Sequence, residues 1–168
     1  HIAQEYVEKM VDLGGECDFA KDVAIFYPLR IIMSILGVPK KDETRMLRLT
    51  QELFGGGDED MIRDVEESSP QSNTITDFFE YFNNLTEERR KNPTNDVASV
   101  IANATINNEP LGHLEAMSYY TIIATAGHDT TSSSTAGGIL AMIQNPDQFL
   151  KLKKNPSLMP SAVEETIR

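Results

Sequence analysis

A long stretch with almost no charge stands in the last third of the chain. Between Ala116 and Pro146 the only formally charged residue is Asp129. As one helix over residues 113–144, this stretch would be roughly 45 Å long. A helix with so little charge is buried on most of its sides, so the pattern predicts a central helix inside a larger body. The small, polar residues at its centre argue against a membrane span.

The centre of this predicted helix breaks several local preferences at once. Ala126-Gly127 and Gly137-Gly138 remove side-chain bulk, which lowers helix propensity but lets another surface approach the backbone. The Thr130 hydroxyl can bond back to the Ala126 carbonyl and bend the helix. A buried lone carboxylate at Asp129 would need a partner. The pattern leaves two interpretations open: a functional site, or a close helix crossing beside a capped acid.

The rest of the sequence is also patterned for helices, so the predicted fold class is mainly α with at most short strand pieces. Glycines at 14–15 and at 37 end the first two apolar stripes. An aromatic-rich stripe from Ile75 to Leu85 predicts a core-facing helix. Asn95-Asp96 is a candidate cap for the next helix, and Asn107-Asn108 indicates a turn.

A loop rich in glycine and acid lies between two of the predicted helices. It opens with Gly55-Gly56-Gly57 followed by Asp58-Glu59-Asp60, a composition that cannot pack a core. We expect a loop over residues 55–70. Composition alone leaves it open whether this loop is a solvated linker or a lid over a site.

The charge balance and the cysteine count exclude several classes of function. A net charge of −11 argues against a nucleic acid bound through its phosphates and against an anionic membrane surface. Cys17 is the one cysteine, so an internal disulfide and a multi-cysteine metal site are excluded. We expect it to be a small buried apolar side chain. Because the chain starts at His1 and stops at Arg168 within a predicted helix, we expect a fragment.

Three motifs, in order, resemble the cytochrome P450 family of haem-thiolate monooxygenases. Residues 126–131, Ala-Gly-His-Asp-Thr-Thr, resemble the family's central-helix motif. Residues 165–168, Glu-Thr-Ile-Arg, resemble its E-x-x-R motif, and residues 145–148, Asn-Pro-Asp-Gln, resemble the link between the two helices. The likeness covers the whole chain, from the family's fourth helix through its E-x-x-R helix over 159–168. It favours soluble bacterial members that oxidise terpenes.

The resemblance implies a cofactor site in the middle of the long helix. Haem b would lie against Ala126 and Gly127, with Thr130 and Thr131 also at the cofactor. Asp129 and Thr130 would be the catalytic acid–alcohol pair, which helps pass protons to dioxygen so that its O–O bond splits. A hydroxyl at a helix bend can hold water, and a carboxyl can relay protons.

The resemblance also assigns residues around this centre. Ile122 and Thr125, one turn earlier, would face a small apolar organic substrate, such as a terpenoid. Glu165 and Arg168 would be structural, in a buried network on the other side of the haem. The loop over 55–70 would be the lid through which the substrate enters.

The same resemblance implies a cytoplasmic enzyme that takes electrons from NAD(P)H through a ferredoxin and a ferredoxin reductase. The family's iron-ligating cysteine lies beyond E-x-x-R, so we expect no metal ligand in this chain. We therefore expect the isolated fragment to be inactive and to self-associate through faces that are core in the whole protein. The alternative is a non-enzymatic helical ligand-binding or interaction module, which explains the helices but not three motifs in register. A Ser-His-Asp hydrolase is disfavoured because no G-x-S-x-G elbow is present.

Overall fold

The computed structural model describes residues 1–54 and 72–168, so the predicted lid over 55–70 lies outside the described residues. The described part is mainly helical with one short hairpin, as predicted. Its helices are α1 (Ile2–Asp12), α2 (Phe26–Leu36), α3 (Glu43–Phe54), α4 (Ser72–Lys91), α5 (Val97–Asn103), α6 (His113–Ala126), α7 (Asp129–Gln144), α8 (Pro146–Lys154) and α9 (Met159–Ile167). A π-helical turn (Ala20–Ala24), two 3₁₀ turns (Lys40–Asp42 and Pro156–Leu158) and the strands β1 (Thr105–Ile106) and β2 (Glu109–Pro110) complete the set.

Local chemistry explains where several elements end. Gly37 has φ +77°, its N–H bonds to the Ser34 carbonyl, and the Val38 N–H bonds to Met33, which is the glycine-terminated helix end that the sequence predicts. Asp96 caps α5 by accepting from the Ser99 N–H at 2.7 Å.

The predicted turn at Asn107-Asn108 closes the hairpin. Both residues have positive φ, 53° and 66°, and β1 pairs antiparallel with β2 in the register Thr105 to Pro110. Asparagine tolerates this backbone region better than most residues, so a two-residue turn with the twist of the strands can form here.

The predicted helix over 113–144 is interrupted. The structure has two helices, α6 and α7, separated by a turn at Gly127-His128. Glycine is free to leave the helical backbone region. In addition, the Thr125 hydroxyl bonds to the Thr121 carbonyl at 2.6 Å in the last turn of α6, and such bonds often bend helices.

The described chain divides into two compact units, one of which spans Leu29–Ala126. Its core contains buried side chains of α2, α3, α4, α5 and α6. The Phe82 ring of α4 stacks on the Tyr120 ring of α6 with centroids 4.6 Å apart. Within the predicted aromatic-rich stripe, Phe78, Phe82 and Leu85 are therefore core, whereas Ile75 is 49% exposed. The side chains with at most 2% exposure in this unit are Leu29, Met33, Leu36, Met46, Leu49, Thr50, Phe78, Phe82, Ala98, Met117, Tyr120 and Ala124.

A buried ion pair links three segments of this unit. Arg89 Nε donates to Asp96 Oδ2 at 2.7 Å, and Arg89 Nη2 donates to the Gly37 carbonyl at 3.0 Å. The side chains of Arg89 and Asp96 are only 10% and 9% exposed. Burial opposes ionisation of Asp96, but bonds from the Thr94 hydroxyl, the Ser99 N–H and Arg89 outweigh it and lower the pKa of the Asp96 carboxyl.

The other unit combines His1–Pro28 with Gly127–Arg168. Here α7 packs against the π-helical turn, α8 and α9. Among the described residues no side chain of α7 is buried, so the predicted burial of this helix is not provided by this segment. Large apolar side chains stay exposed on the last three helices of this unit: Leu140, Ile143, Phe149, Leu150, Met159, Val163 and Ile167.

Candidate functional site

The motif over 126–131 runs across the break between α6 and α7, and each side is positioned by its own unit. On the α6 side, Ala124 is fully buried against the core, whereas Ile122 is 61% exposed and Ala126 is also exposed. The Thr125 hydroxyl uses its proton on the Thr121 carbonyl, so toward any ligand it is an acceptor. Ile122 thus offers an apolar surface and Thr125 one polar acceptor.

On the α7 side, the acid and hydroxyl residues face solvent. Asp129 is the first residue of α7, and its side chain is 58% exposed. Thr130 and Thr131 are exposed as well. The expectation that Asp129 is a buried carboxylate is therefore wrong. The reason is the helix break, which places Asp129 at a helix N-terminus, where a carboxylate is stabilised by unbonded N–H groups without burial.

The buried polar residue at the break is His128, a position that the motif treats as variable. Its side chain is 1% exposed, and its Nε2 lies 2.8 Å from the Ile25 carbonyl oxygen in the same unit. Its Nδ1 is 3.4 Å from Asp129 Oδ1, in electrostatic contact but without a hydrogen-bond partner among the described residues. Sequence reasoning missed this residue because its partner lies 103 positions away.

The E-x-x-R residues form their pair at the end of the chain. Arg168 Nη2 donates to Glu165 Oε1 at 2.5 Å, and this bond raises the pKa of the Arg168 guanidinium. The two side chains are 67% (Glu165) and 77% (Arg168) exposed. The expected buried network is thus absent from the described residues, because no described element covers this face of α9.

The two glycines of the Gly137-Gly138 pair have different surroundings. A Cβ on Gly138 would come within 2.7 Å of Thr166 Cγ2 on α9, so Gly138 serves a close helix crossing. No atom of residues 1–54 or 72–168 lies within 4 Å of such a Cβ at Gly137. Of the two interpretations left open above, the crossing therefore applies at Gly138.

A groove of about 560 Å³ lies among α7, α8 and α9 in the same unit. Lys151, Glu165 and Thr166 are among its lining residues, and none of residues 126–131 lines it. The groove is therefore separate from the motif.

The described residues hold no group of three or more His, Cys, Asp or Glu side chains that could bind a metal ion. Cys17 is exposed, which corrects the expectation of a buried side chain. It lies in the extended link at residues 16–18 after the Gly14-Gly15 turn, away from any apolar helix face. Within 1–54 and 72–168, no helix combines the length and the apolar character that a membrane crossing requires.

Known proteins are similar to this chain over nearly all of its length. The chain is 42% identical to cytochrome P450-terp of a Pseudomonas species over 99% of its own length and 41% of that protein. It is 34% identical to cytochrome P450 NovI of Streptomyces niveus, again over 41% of the relative. The crystal structure of CYP108D1 from Novosphingobium aromaticivorans superposes with a TM-score of 0.84 at 45% identity, over 99% of this chain and 38% of that one.

The chain belongs to the cytochrome P450 family. It spans about two fifths of the length of these relatives. No family model matches it. A methyl-branched lipid omega-hydroxylase of Mycobacterium tuberculosis is also similar, at 32% identity over 91% of the chain and 35% of the relative.

Proposed function

We propose that the whole protein containing this P450 segment is a haem-dependent monooxygenase that inserts one oxygen atom from dioxygen into a small apolar organic substrate, such as a terpenoid. The observation that carries the proposal is the motif at the α6–α7 break. There the acid and hydroxyl side chains of Asp129, Thr130 and Thr131 are exposed at the start of a helix. Family membership supplies the reaction class.

The residues at the break fit the haem that the family implies. Ala126 and Gly127 have no side chain larger than a methyl group, and such small residues let a flat ring system approach the backbone closely. Thr130 and Thr131 bring hydroxyls that can donate to and accept from water. When bound, the haem supplies the redox chemistry that activates dioxygen.

The chain offers no fitting thiolate for the iron. Cys17 is its one cysteine and is exposed. We therefore propose that the isolated 168-residue polypeptide is inactive and binds no thiolate-ligated haem. A carbon monoxide difference spectrum of the reduced polypeptide that showed the thiolate-ligated band would overturn this.

Asp129 and Thr130 would handle the protons of the reaction. An exposed carboxyl can take a proton from water and pass it inward. The Thr130 hydroxyl, on the adjacent residue, can accept this proton while it donates its own, so one proton moves without leaving a charge on Thr130. This pair would set how many dioxygen molecules are consumed for each molecule of product.

The apolar substrate class is supported by two observations. Ile122 exposes 61% of its surface one turn before the break, where it can bury against an apolar molecule. One relative is named for hydroxylating methyl-branched lipids. Thr125, as an acceptor, would orient a substrate hydroxyl. We also propose a cytoplasmic protein that takes electrons from NAD(P)H through a ferredoxin and a ferredoxin reductase, as the family resemblance implies.

The test is the ratio of product formed to dioxygen consumed by the full-length protein. Thr130→Ala should lower this ratio well below that of the wild type, because proton transfer to dioxygen loses its hydroxyl. Thr135→Ala is the matched control, since Thr135 lies on the same helix and its hydroxyl donates to the Thr131 carbonyl at 2.7 Å. An unchanged ratio in Thr130→Ala would refute the assigned role.

The helical binding module that the sequence left open predicts a different outcome. Such a protein would bind small apolar ligands but would not consume dioxygen in their presence. No observation in the described residues favours it specifically, and the relatives reported above carry P450 or hydroxylase names.

A further inference from the structure

We propose that Gly138 is a positioning residue for the pair Glu165 and Arg168. Because it has no side chain, it lets α9 lie close to α7, and this sets the distance between the pair and the residues Asp129 and Thr130. The proposal rests on the proposed function, because the haem would lie between these two groups of residues. All of them belong to one unit of the structure.

The contact between the two helices leaves no room for a side chain at position 138. A Cβ on Gly138 would lie 2.7 Å from Thr166 Cγ2, 3.3 Å from Oγ1 and 3.7 Å from Cβ. Carbon atoms that are not bonded pack about 3.5–4.0 Å apart, so a methyl group here would push α9 away from α7 by roughly 1 Å. Gly138 lies inside α7, where glycine lowers helix propensity. The close crossing therefore explains a glycine that the helix itself disfavours.

Thr166 is held in place on α9. Its hydroxyl donates to the Ala162 carbonyl at 2.8 Å, which holds the side chain in the orientation that presents Cγ2 to α7. Turning the side chain away would give up this bond. Because Thr166 directly follows Glu165 in the helix, moving the backbone of α9 at this point also moves Glu165. Arg168, which is bonded to Glu165, moves with it.

Helix α7 joins the crossing to the acid and hydroxyl residues at its start. Thr130 is the second residue of α7, and Gly138 follows eight residues later, about 12 Å along the helix axis. Gly138, Glu165 and Thr166 line the same groove, so the pair on α9 begins where the two helices cross. The width of the proposed haem site thus depends on how closely α9 approaches Gly138.

The neighbouring glycine gives an internal comparison. Gly137 lies on the same helix, but no other described segment comes within 4 Å of a Cβ built on it. If glycine served only to make α7 flexible, an alanine at either position would have the same effect. If it serves the crossing, only an alanine at position 138 disturbs α9.

The test uses the full-length protein with haem bound. In Gly138→Ala we expect a crystal structure to show the Cα atoms of residues 138 and 166 about 1 Å farther apart than in the wild type. The rate of haem transfer to a haem-scavenging protein should rise about tenfold, as expected for overpacking of this kind. Gly137→Ala is the matched control and should change neither quantity, because alanine meets open space there.

A second variant separates this role from a general loss of stability. Thr166→Ser keeps the hydroxyl but removes the Cγ2 methyl group. The double variant Gly138→Ala/Thr166→Ser should therefore recover the wild-type distance between the helices and the wild-type rate of haem transfer. If Gly138→Ala alone does not fold, the double variant should still fold.

Three results would overturn the proposal: an unmoved α9 in Gly138→Ala, equal haem loss in Gly138→Ala and Gly137→Ala, or a double variant no better than Gly138→Ala. Failure of the proposed function would appear instead as an unchanged ratio of product to dioxygen in Thr130→Ala. The displacement of α9 and its rescue do not depend on that reaction and would remain.

Discussion

The buried pair of Arg89 and Asp96 allows a quantitative prediction about stability. The Asp96 carboxylate accepts from Arg89 Nε at 2.7 Å, from the Ser99 N–H at 2.7 Å and from the Thr94 hydroxyl at 2.6 Å. Asp96→Ala removes all three acceptor contacts. It leaves the Arg89 guanidinium, 10% exposed, without its buried partner.

The magnitude follows from these contacts. Breaking a buried ion pair by removing one partner costs about 3–5 kcal/mol, most of it from the charge left behind. Loss of the helix cap alone would cost about 1 kcal/mol. Because Arg89 keeps its ion pair with the exposed Glu88 at 2.9 Å, we expect Asp96→Ala to lower the free energy of unfolding by about 3 kcal/mol, the lower end of this range. Asp96→Asn should lose less, because its amide oxygen can still cap α5.

The assay is urea unfolding followed by far-UV circular dichroism, repeated over pH. The pKa of Asp96 is lower in the folded state than its ordinary value of 3.8. Its stabilisation is thus fully present well above pH 3.8 and is lost as the pH falls below 3.8 through the folded pKa. Asp12→Ala, at an exposed position on α1, is the control. If Asp96→Ala lost no more stability than this control, or kept the wild-type dependence on acid pH, the ion-pair reasoning would be refuted.

Three further substitutions test the packing of the same unit. Gly37→Ala should destabilise by about 2 kcal/mol, because the residue has positive φ and its Cβ would lie 2.0 Å from Asp96 Oδ2; equal melting temperatures would contradict this. Phe82→Ala should lower the free energy of unfolding by about 3–5 kcal/mol, and Phe79→Ala, at a less buried site, by less; similar losses in urea titrations would count against the assigned core. Asn108→Val should cost about 1 kcal/mol at φ 66° while Asn108→Gly costs nothing, as thermal melts can check.

The structure also shows why the site was only partly predictable. The sequence is enough to pick out the motif at 126–131 and the substrate-facing candidates Ile122 and Thr125, because hydroxyls, acids and small side chains at fixed spacing can be recognised locally. It does not show which of these side chains are buried or what they contact. Asp129 is exposed, although the sequence suggested a buried carboxylate, and His128 is buried, which no local pattern indicated.

By itself, the sequence determined what depends on neighbours a few positions apart. The helix ends at Gly37 and Asp96, the turn at Asn107-Asn108 and the aromatic face of α4 follow from backbone freedom, capping and periodicity. The helical fold class followed from the same short-range rules.

Tertiary structure alone decided what depends on partners far along the chain. The break between α6 and α7 could be suspected from Gly127. The buried contact at this break, however, joins His128 Nε2 to the carbonyl oxygen of Ile25, 103 positions away. In the same way, Arg89 reaches back 52 positions to the Gly37 carbonyl. The burial of a side chain and its electrostatic contacts depend on which distant segments pack around it, so they are fixed only in the folded protein. This is why His128, at a variable position of the motif, is a buried side chain next to Asp129.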